Sequence, residues 1–428
     1  MSKLTDFFRN DLFRNVGKLL SASVIAQVIG LLVYPVLTRL YSPDDFGLLT
    51  LFLNIGNILV ILATAEYHYA IVLPAEEKDA RATFHWGFFL LLITSALVAL
   101  SVIFRHPIAA LFKSPDLARF YWLMPLLVFF MGLWNLLNYW YIRQKEYTRI
   151  SGYQFSLSIL SAGSKLGFGY AGFLSGGMIW SMVIAPALSS FLSISLAFRK
   201  AIRPLFGVDK SSSLQMAKTY RNFPLFTLPR DFVNLLVGQL PVFVLTPCFG
   251  TRDVGFWGMA VLLGFAPVSM ITKALYQVLY QYSTARVHEK QPLMPVMRRF
   301  TRWTTLVVVP GFILLYFILP WLTRVLFGAE WVESGYMIRW MLPWLYAVAL
   351  TSSTCFLSDV FMKQKLGLYF EILLAVLRVL GVALGIWLGS FTWAIAGYCI
   401  GSFLAVMAQY LWLISLCRDY DKSLNATS

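Results

Sequence analysis

The chain has 428 residues, of which 59% are apolar and only 13% charged, with a net charge of +15 and a mean hydropathy of +0.70. An ordinary soluble domain is about 25% charged, and no soluble globule of this length could hide so much apolar surface. Soluble, disordered, collagen-like and disulfide-rich secreted classes are excluded, which leaves an integral membrane protein. Cys248, Cys355, Cys399 and Cys417 show no paired spacing and read as small buried residues in or beside apolar runs, neither a disulfide framework nor a metal site.

The chain opens on MSKLTDFFRNDLFRNVGKLL, a short basic amphipathic lead-in expected to lie on the inner membrane face, with no cleavable signal peptide. A helix needs about 20 mostly apolar residues to cross the hydrocarbon. Backbone in lipid must pair internally, so spans are helices or closed barrels, and the runs here are too long and too evenly apolar for barrel strands. About twelve runs follow, at 15–37, 47–73, 84–104, 118–141, 152–173, 177–198, 223–247, 255–281, 302–321, 336–360, 366–388 and 391–416. With a cytoplasmic N-terminus, inner segments carry 24 of the 35 Lys and Arg and outer segments 7, Arg39 and Arg339 among the latter. That bias predicts both termini inside. The positive charge therefore belongs over anionic membrane lipids, and no nucleic-acid partner is needed to explain it.

The two halves repeat. LTRLYSPDDFG at 37–47 and LTPCFGTRDVG at 245–255 share Leu, Thr, Asp and Gly at an offset of 208, and Gly56 with Gly264 keeps that register. Arg143-Gln144-Lys145 and Lys363-Gln364-Lys365 match at an offset of 220. Six spans per copy is an even number, so the copies are parallel repeats about an axis along the membrane normal. The expectation is an all-α polytopic membrane protein of about 12 transmembrane helices in two six-helix bundles related by pseudo-twofold symmetry. Residues 1–200 form the first bundle, 201–222 a cytoplasmic linker and 223–428 the second bundle. Two bundles with a central seam are the usual form of an alternating-access transporter.

Ionisable residues inside spans are costly and are functional candidates by default. Lys165 falls near the middle of the fifth span and Arg378 near the middle of the eleventh, its counterpart in the second copy, so the two are expected to face the seam at similar depth. Arg230 and Asp231 lie in the inner half of the seventh span beside Pro229, Glu66 and His68 in that of the second, Lys273 in that of the eighth, and Glu371 in the eleventh. The structural alternatives are snorkelling for Lys273 and a bridge from Arg230 to Asp231 or Glu66. Lys165, Arg378, Arg230 and Lys273 together make a mildly positive cavity suited to phosphate, diphosphate or an acidic sugar. Glu66 and Asp231 are candidates for coupling to a proton or sodium gradient. No GxxxxGK[ST], HExxH or GxSxG motif is present, which argues against ATP hydrolysis or catalysis and against a resident cofactor.

Two rivals have a sequence feature each. A drug or cation antiporter would carry a net acidic cavity. A membrane glycosyltransferase would use an acidic pair in its first outer loop, where Asp44-Asp45 sits, but Ser42-Pro43-Asp44-Asp45 entering the second span reads better as a turn and helix cap.

YPVLTRLYSPDDFGLLTLF at 34–52 resembles the first-loop pattern of polysaccharide-biosynthesis membrane proteins of the O-antigen flippase (Wzx) type. NFPLFTLPRDFVNLLVGQLPVFVLTPCFG at 222–250 and GFWGMAVLLGFAPVSMITKALYQVLYQ at 255–281 are similar to their seventh and eighth spans. The motifs cover about 75 residues and the topology the whole chain. The resemblance implies a MATE-like fold of the multidrug/oligosaccharidyl-lipid/polysaccharide exporter superfamily. It also implies flipping of an undecaprenyl-diphosphate-linked oligosaccharide across a bacterial inner membrane, through a cationic cavity and beside a polysaccharide polymerase and chain-length proteins. Asp231, next to Arg230, has no matching position in that pattern.

Overall fold

The computed structural model describes residues 28–197, 205, 210–361 and 363–427. The basic lead-in, the start of the first span and residues 201–204 and 206–209 of the linker lie outside the described residues. The principal helices are α1 (Val28–Leu40), α2 (Pro43–Ala63), α3 (Glu77–Ser101), α4 (Met124–Arg143), α5 (Tyr147–Tyr170), α6 (Leu174–Ala197), α7 (Leu228–Gly238), α8 (Leu240–Phe249), α9 (Thr251–His288), α10 (Met294–Phe327), α11 (Val332–Thr354), α12 (Gln364–Trp387) and α13 (Phe391–Thr427). Nine spans among the described residues are long and apolar enough to cross a membrane, ten if 223–249, bent by 42°, counts as one. The expected twelve are therefore not all reached. Of the first expected span only Val28–Leu40 falls on described helix, which is too short to count, and α5, which carries Lys165, is long enough but too polar.

Contacts divide the chain into two compact units, one ending at Gly255 and the other beginning at Phe256. In the first unit α2 sits against α4 and α6, and α7 and α8 pack on α2. The entry to α2 is built as its sequence suggests. Ser42 caps the helix by accepting from the Asp45 backbone N–H at 3.3 Å, while the Ser42 N–H donates to the Asp45 carboxylate at 2.8 Å, with Pro43 in the first turn. Asp44 accepts from the Thr251 hydroxyl at 3.0 Å. Both acids of the pair are thus engaged in structural hydrogen bonds, Asp45 within the cap and Asp44 across to Thr251.

The repeat becomes a reciprocal contact. A Cβ on Gly47 would stand 1.8 Å from the Thr251 carbonyl oxygen, and one on Gly255 would stand 1.9 Å from that of Pro43. The pairs 43/251 and 47/255 carry the same offset of 208 found in the sequence. Only glycine lets two backbones approach this closely, and lipid supplies no hydrophobic drive to replace the lost packing.

The second unit uses the same device twice over. Gly381 and Gly385 on α12 face Gly397 and Ala394 on α13, and Gly401 meets Leu377. A Cβ on any of these four glycines would fall 2.1–2.6 Å from the partner's backbone. Each helix carries a G-x-x-x-G element (GVALG, GYCIG), the small-residue pattern of close helix pairs.

Pro320 in α10 has no N–H, so the carbonyl of Tyr316 four residues earlier is left without its helical donor. Arg339 of α11 repairs this: its Nε donates to Tyr316 O and its Nη2 to Phe317 O at 3.4 Å. Arg339, expected in an outer loop, therefore lies two turns inside a span.

The second span departs from expectation. Its helix stops at Ala63 instead of running to residue 73, and Ala65 and Glu66 both adopt left-handed backbone at φ 44° and 63°. Two consecutive non-glycine residues there store strain. Of the cysteines, Cys399 and Cys417 are buried, but Cys355 is only half-buried and Cys248, at the end of the short α8, is exposed.

We expect Gly47→Ala to lower the thermal midpoint of the detergent-purified protein, at about 1–3 kcal/mol of overpacking. Gly163→Ala, in an open helical position, should leave it unchanged or higher. Equal midpoints would contradict the close-contact reading.

Candidate functional site

The strained turn after α2 places a polar cluster in the first unit. Glu66 is 2% exposed, and its Oε2 makes no hydrogen bond among the described residues, although it lies 3.4 Å from His68 Nε2. His68 is held through Nδ1 by the Thr64 hydroxyl at 2.8 Å, and its ring packs against those of Tyr69 and Tyr139, with centroids 4.3 and 5.1 Å away. Tyr69 also stacks on Phe223, the first residue of a π-helical turn, Phe223–Thr227, that leads into α7. Such turns are rare and concentrate at functional sites. At the start of α7, Arg230 Nε donates to Asp231 Oδ1 at 2.9 Å, and both charges act electrostatically on Glu66.

Arg143, at the end of α4, ties down the segment 71–76 that follows this cluster. Its Nη1 donates to the carbonyls of Ile71, Val72 and Pro74 (3.4, 3.4 and 2.7 Å) and its Nη2 to those of Ala75 and Glu76 (3.4 and 3.2 Å). One guanidinium thus gathers five carbonyls of a segment that has no helix to satisfy them. The sequence places Arg143 in an inner loop and gives no sign of this role.

Lys165 is buried in α5, with Nζ 6.0 Å from the Tyr34 ring centroid, and its own carbonyl accepts from the Tyr41 hydroxyl at 2.7 Å. Arg378 is buried in the second unit. Its Nε donates to the Ser402 hydroxyl at 2.9 Å, and its guanidinium carbon stands 4.8 Å from the Tyr398 ring and 5.2 Å from that of Trp344. The Trp344 indole N–H is buried without a hydrogen bond among the described residues. Among the described residues neither cation has a carboxylate within ion-pair distance. Cation–π contact offsets part of the desolvation, but an unpaired buried charge ordinarily requires a partner.

The remaining candidates differ from expectation. Arg230 is exposed and bonded to its neighbour, because it faces away from the first unit's packing at the first turn of α7. Lys273 and Glu371 are exposed on α9 and α12. Lys165 lies five residues before the end of α5 and Arg378 nine before the end of α12. They do not occupy matching depths along their helices, since α5 ends at Tyr170 and begins further back than its apolar run suggests. The structure brings Glu66, His68, Arg230 and Asp231 together in one unit, with Lys165 elsewhere in that unit, and places Arg378 and Lys273 in the other.

The sequence profile of the polysaccharide biosynthesis protein family matches residues 36–336. The chain belongs to that family. It is 22% identical over 417 residues to the succinoglycan biosynthesis transport protein ExoT of Rhizobium meliloti (strain 1021), covering 94% of this chain and 79% of the relative. Among solved structures it resembles the inward-facing form of a multidrug resistance MATE family transporter of the MOP superfamily (TM-score 0.71, 16% identity, 94% and 96% of the two chains). It equally resembles the lipid II flippase MurJ in an inward closed conformation (TM-score 0.71, 12% identity, 95% and 91%). The fold is thus that of an all-α, multi-pass membrane protein. The family match bears out the resemblance carried by 34–52, 222–250 and 255–281.

Arg143→Ala should destabilise the protein by about 1.5–3 kcal/mol, the range for charged hydrogen bonds. Arg143→Lys should recover little, because one ammonium cannot span both sides of the loop. Protease sensitivity at 64–76 in membrane vesicles checks this, and a resistant loop in Arg143→Ala would contradict it.

Proposed function

We propose that this protein is a flippase moving an undecaprenyl-diphosphate-linked oligosaccharide, an O-antigen or other surface-polysaccharide repeat unit, from the cytoplasmic to the periplasmic leaflet of a bacterial inner membrane by alternating access. The observation that carries the reading is a pair of buried cations, Lys165 and Arg378, neither of which has a carboxylate partner among the described residues. A diphosphate leaving water loses its hydration, and fixed donors with positive charge substitute for it. Arg378, with one guanidinium edge engaged by Ser402 and two aromatic faces beside it, keeps further N–H groups for such a ligand. The prenyl tail has no such difficulty and can stay in lipid.

In this reading residues 1–200 and 223–428 form the two six-helix bundles, 201–222 is the cytoplasmic linker, and both termini are cytoplasmic. Arg230 and Lys273 add positive charge along the route. Glu66 and Asp231 couple movement to a proton or sodium gradient. The acid that would exchange the ion is Glu66, buried, without a hydrogen bond on Oε2 and held by a strained turn. A polysaccharide polymerase and chain-length proteins would take the delivered unit. ExoT, named for succinoglycan transport, supports glycan cargo over a small drug cation, and the MATE likeness at 16% identity speaks for fold alone.

In a strain lacking this gene, Lys165→Ala and Arg378→Ala should each restore at most about a tenth of the surface glycan restored by the wild type, a loss of about 1.4 kcal/mol or more, at equal membrane levels. Wild-type amounts of glycan from both would remove these residues from the pathway. Glu66→Gln should make export independent of the imposed ion gradient, and a variant that keeps the wild-type dependence would remove Glu66 from coupling.

A further inference from the structure

A cavity of about 310 Å³ lies inside the first unit, among α2, α4, α5 and α6, and Asn57, Asn135, Ser161, Trp134 and Tyr153 are among its lining residues. The three polar residues are deep in their helices: Asn57 is fourteen residues from the start of α2, Asn135 eleven from that of α4 and Ser161 fourteen from that of α5. At 1.5 Å per residue that is about 16–21 Å from those ends. Some polar side chains on these helices bond back one turn: the Asn54 amide donates to Thr50 O at 2.7 Å, and the hydroxyl of Ser181, a further polar residue of the lining, donates to Gly177 O at 2.7 Å. The side chains of Asn57, Asn135 and Ser161 make no hydrogen bond within the described residues. An amide or hydroxyl left unpaired in an apolar setting costs about 1–3 kcal/mol. Three such groups converging on one space point to an occupant that pairs with them.

The lining also restricts what that occupant is. It contains no carboxylate and no cation, which disfavours a metal ion or a bare anion. Amides and a hydroxyl both donate and accept, so they match a neutral group that does both. Trp134 and Tyr153 lie face to face, with centroids 3.3 Å apart and planes within 5°, and supply a flat apolar wall. A pyranose ring has this combination of properties, with hydroxyls at its edge and C–H bonds on its face. The volume is at the small end of ligand pockets, about 300–1,000 Å³, and suits one ring more than a whole oligosaccharide. Ser161 stands one helical turn from Lys165 on the same face of α5, so a charged group attached to that ring has a cation within reach.

We propose that this cavity is a saccharide subsite that takes one neutral sugar ring of the cargo. The proposal rests on the flippase reading and adds which part of the protein reads the glycan. The four native cysteines are replaced by serine, and Ser161→Cys or Ala185→Cys is introduced as a reporter in the cavity wall. Maleimide labelling in membrane vesicles is then measured with methyl glucoside, methyl galactoside or glycerol present. Labelling should slow several-fold with at least one glycoside and not with glycerol, and Asn57→Leu or Asn135→Leu should abolish the protection. Protection by neither glycoside, protection that survives both leucine variants, or a cavity in which neither cysteine reacts would each overturn the subsite. Glycan export by the wild-type chain in the deletion strain is scored in parallel. Export without protection sinks the subsite alone, whereas no export sinks the flippase reading itself.

Discussion

Hydrocarbon offers no hydrogen-bond partner, and this constraint organises the molecule. Each polar group placed inside must be answered by the chain itself. Arg339 answers the carbonyl that Pro320 leaves free, Arg143 answers five carbonyls at once, and Ser42 with Asp45 closes the start of α2. Hydroxyls inside helices bond back one turn, as Ser353 does to Ala349 and Thr354 to Leu350. Against this background Glu66 Oε2 and the Trp344 indole N–H are among the buried groups with no hydrogen bond among the described residues, and Lys165 and Arg378 have no carboxylate within ion-pair distance there. A static scaffold would gain stability by replacing them with apolar residues. In the proposed flippase they serve a charged or hydrogen-bonding passenger.

A second constraint follows from the first. Apolar side chains gain nothing from meeting each other in lipid compared with meeting acyl chains, so helices associate through close backbone approach and shape. Gly47 with Gly255 and the four glycines of α12 and α13 provide that approach. The α12–α13 pair fixes the helix that carries Arg378, and the aromatic faces of Trp344 and Tyr398 close around it. Packing and charge placement are therefore coupled: a side chain at Gly381 or Gly397 would displace the helix that aims the cation.

Much of this architecture was legible in the sequence. Apolar runs located the helices, Ser42-Pro43-Asp44-Asp45 read as the cap it is, and the offset of 208 reappears as atoms in contact at residues 43, 47, 251 and 255. The GVALG and GYCIG elements were also visible and point to the α12–α13 pair, but an argument built on ionisable residues passes over glycines. The break after Ala63 was not legible. Thr64-Ala65-Glu66-Tyr67 contains no glycine or proline, so nothing in the local sequence marks the left-handed turn. The exposure of Arg230 and Lys273 depends on which face of a nearly uniformly apolar helix turns inward, and periodicity cannot resolve that when most positions are apolar. Neither Arg143 nor the amides of Asn57 and Asn135 carry a motif; only coordinates show which polar groups have partners and which do not.

The most direct test of the central claim is made on the purified wild-type protein in vesicles carrying a polyprenyl-diphosphate oligosaccharide, with a membrane-impermeant glycosidase outside. The fraction of cargo cut should rise from the outer-leaflet share toward completion within minutes when the protein is present, and a prenyl-free oligosaccharide sealed inside should stay intact. If the cut fraction remains at the level of protein-free vesicles while the protein is folded and inserted, this chain does not move lipid-linked glycans.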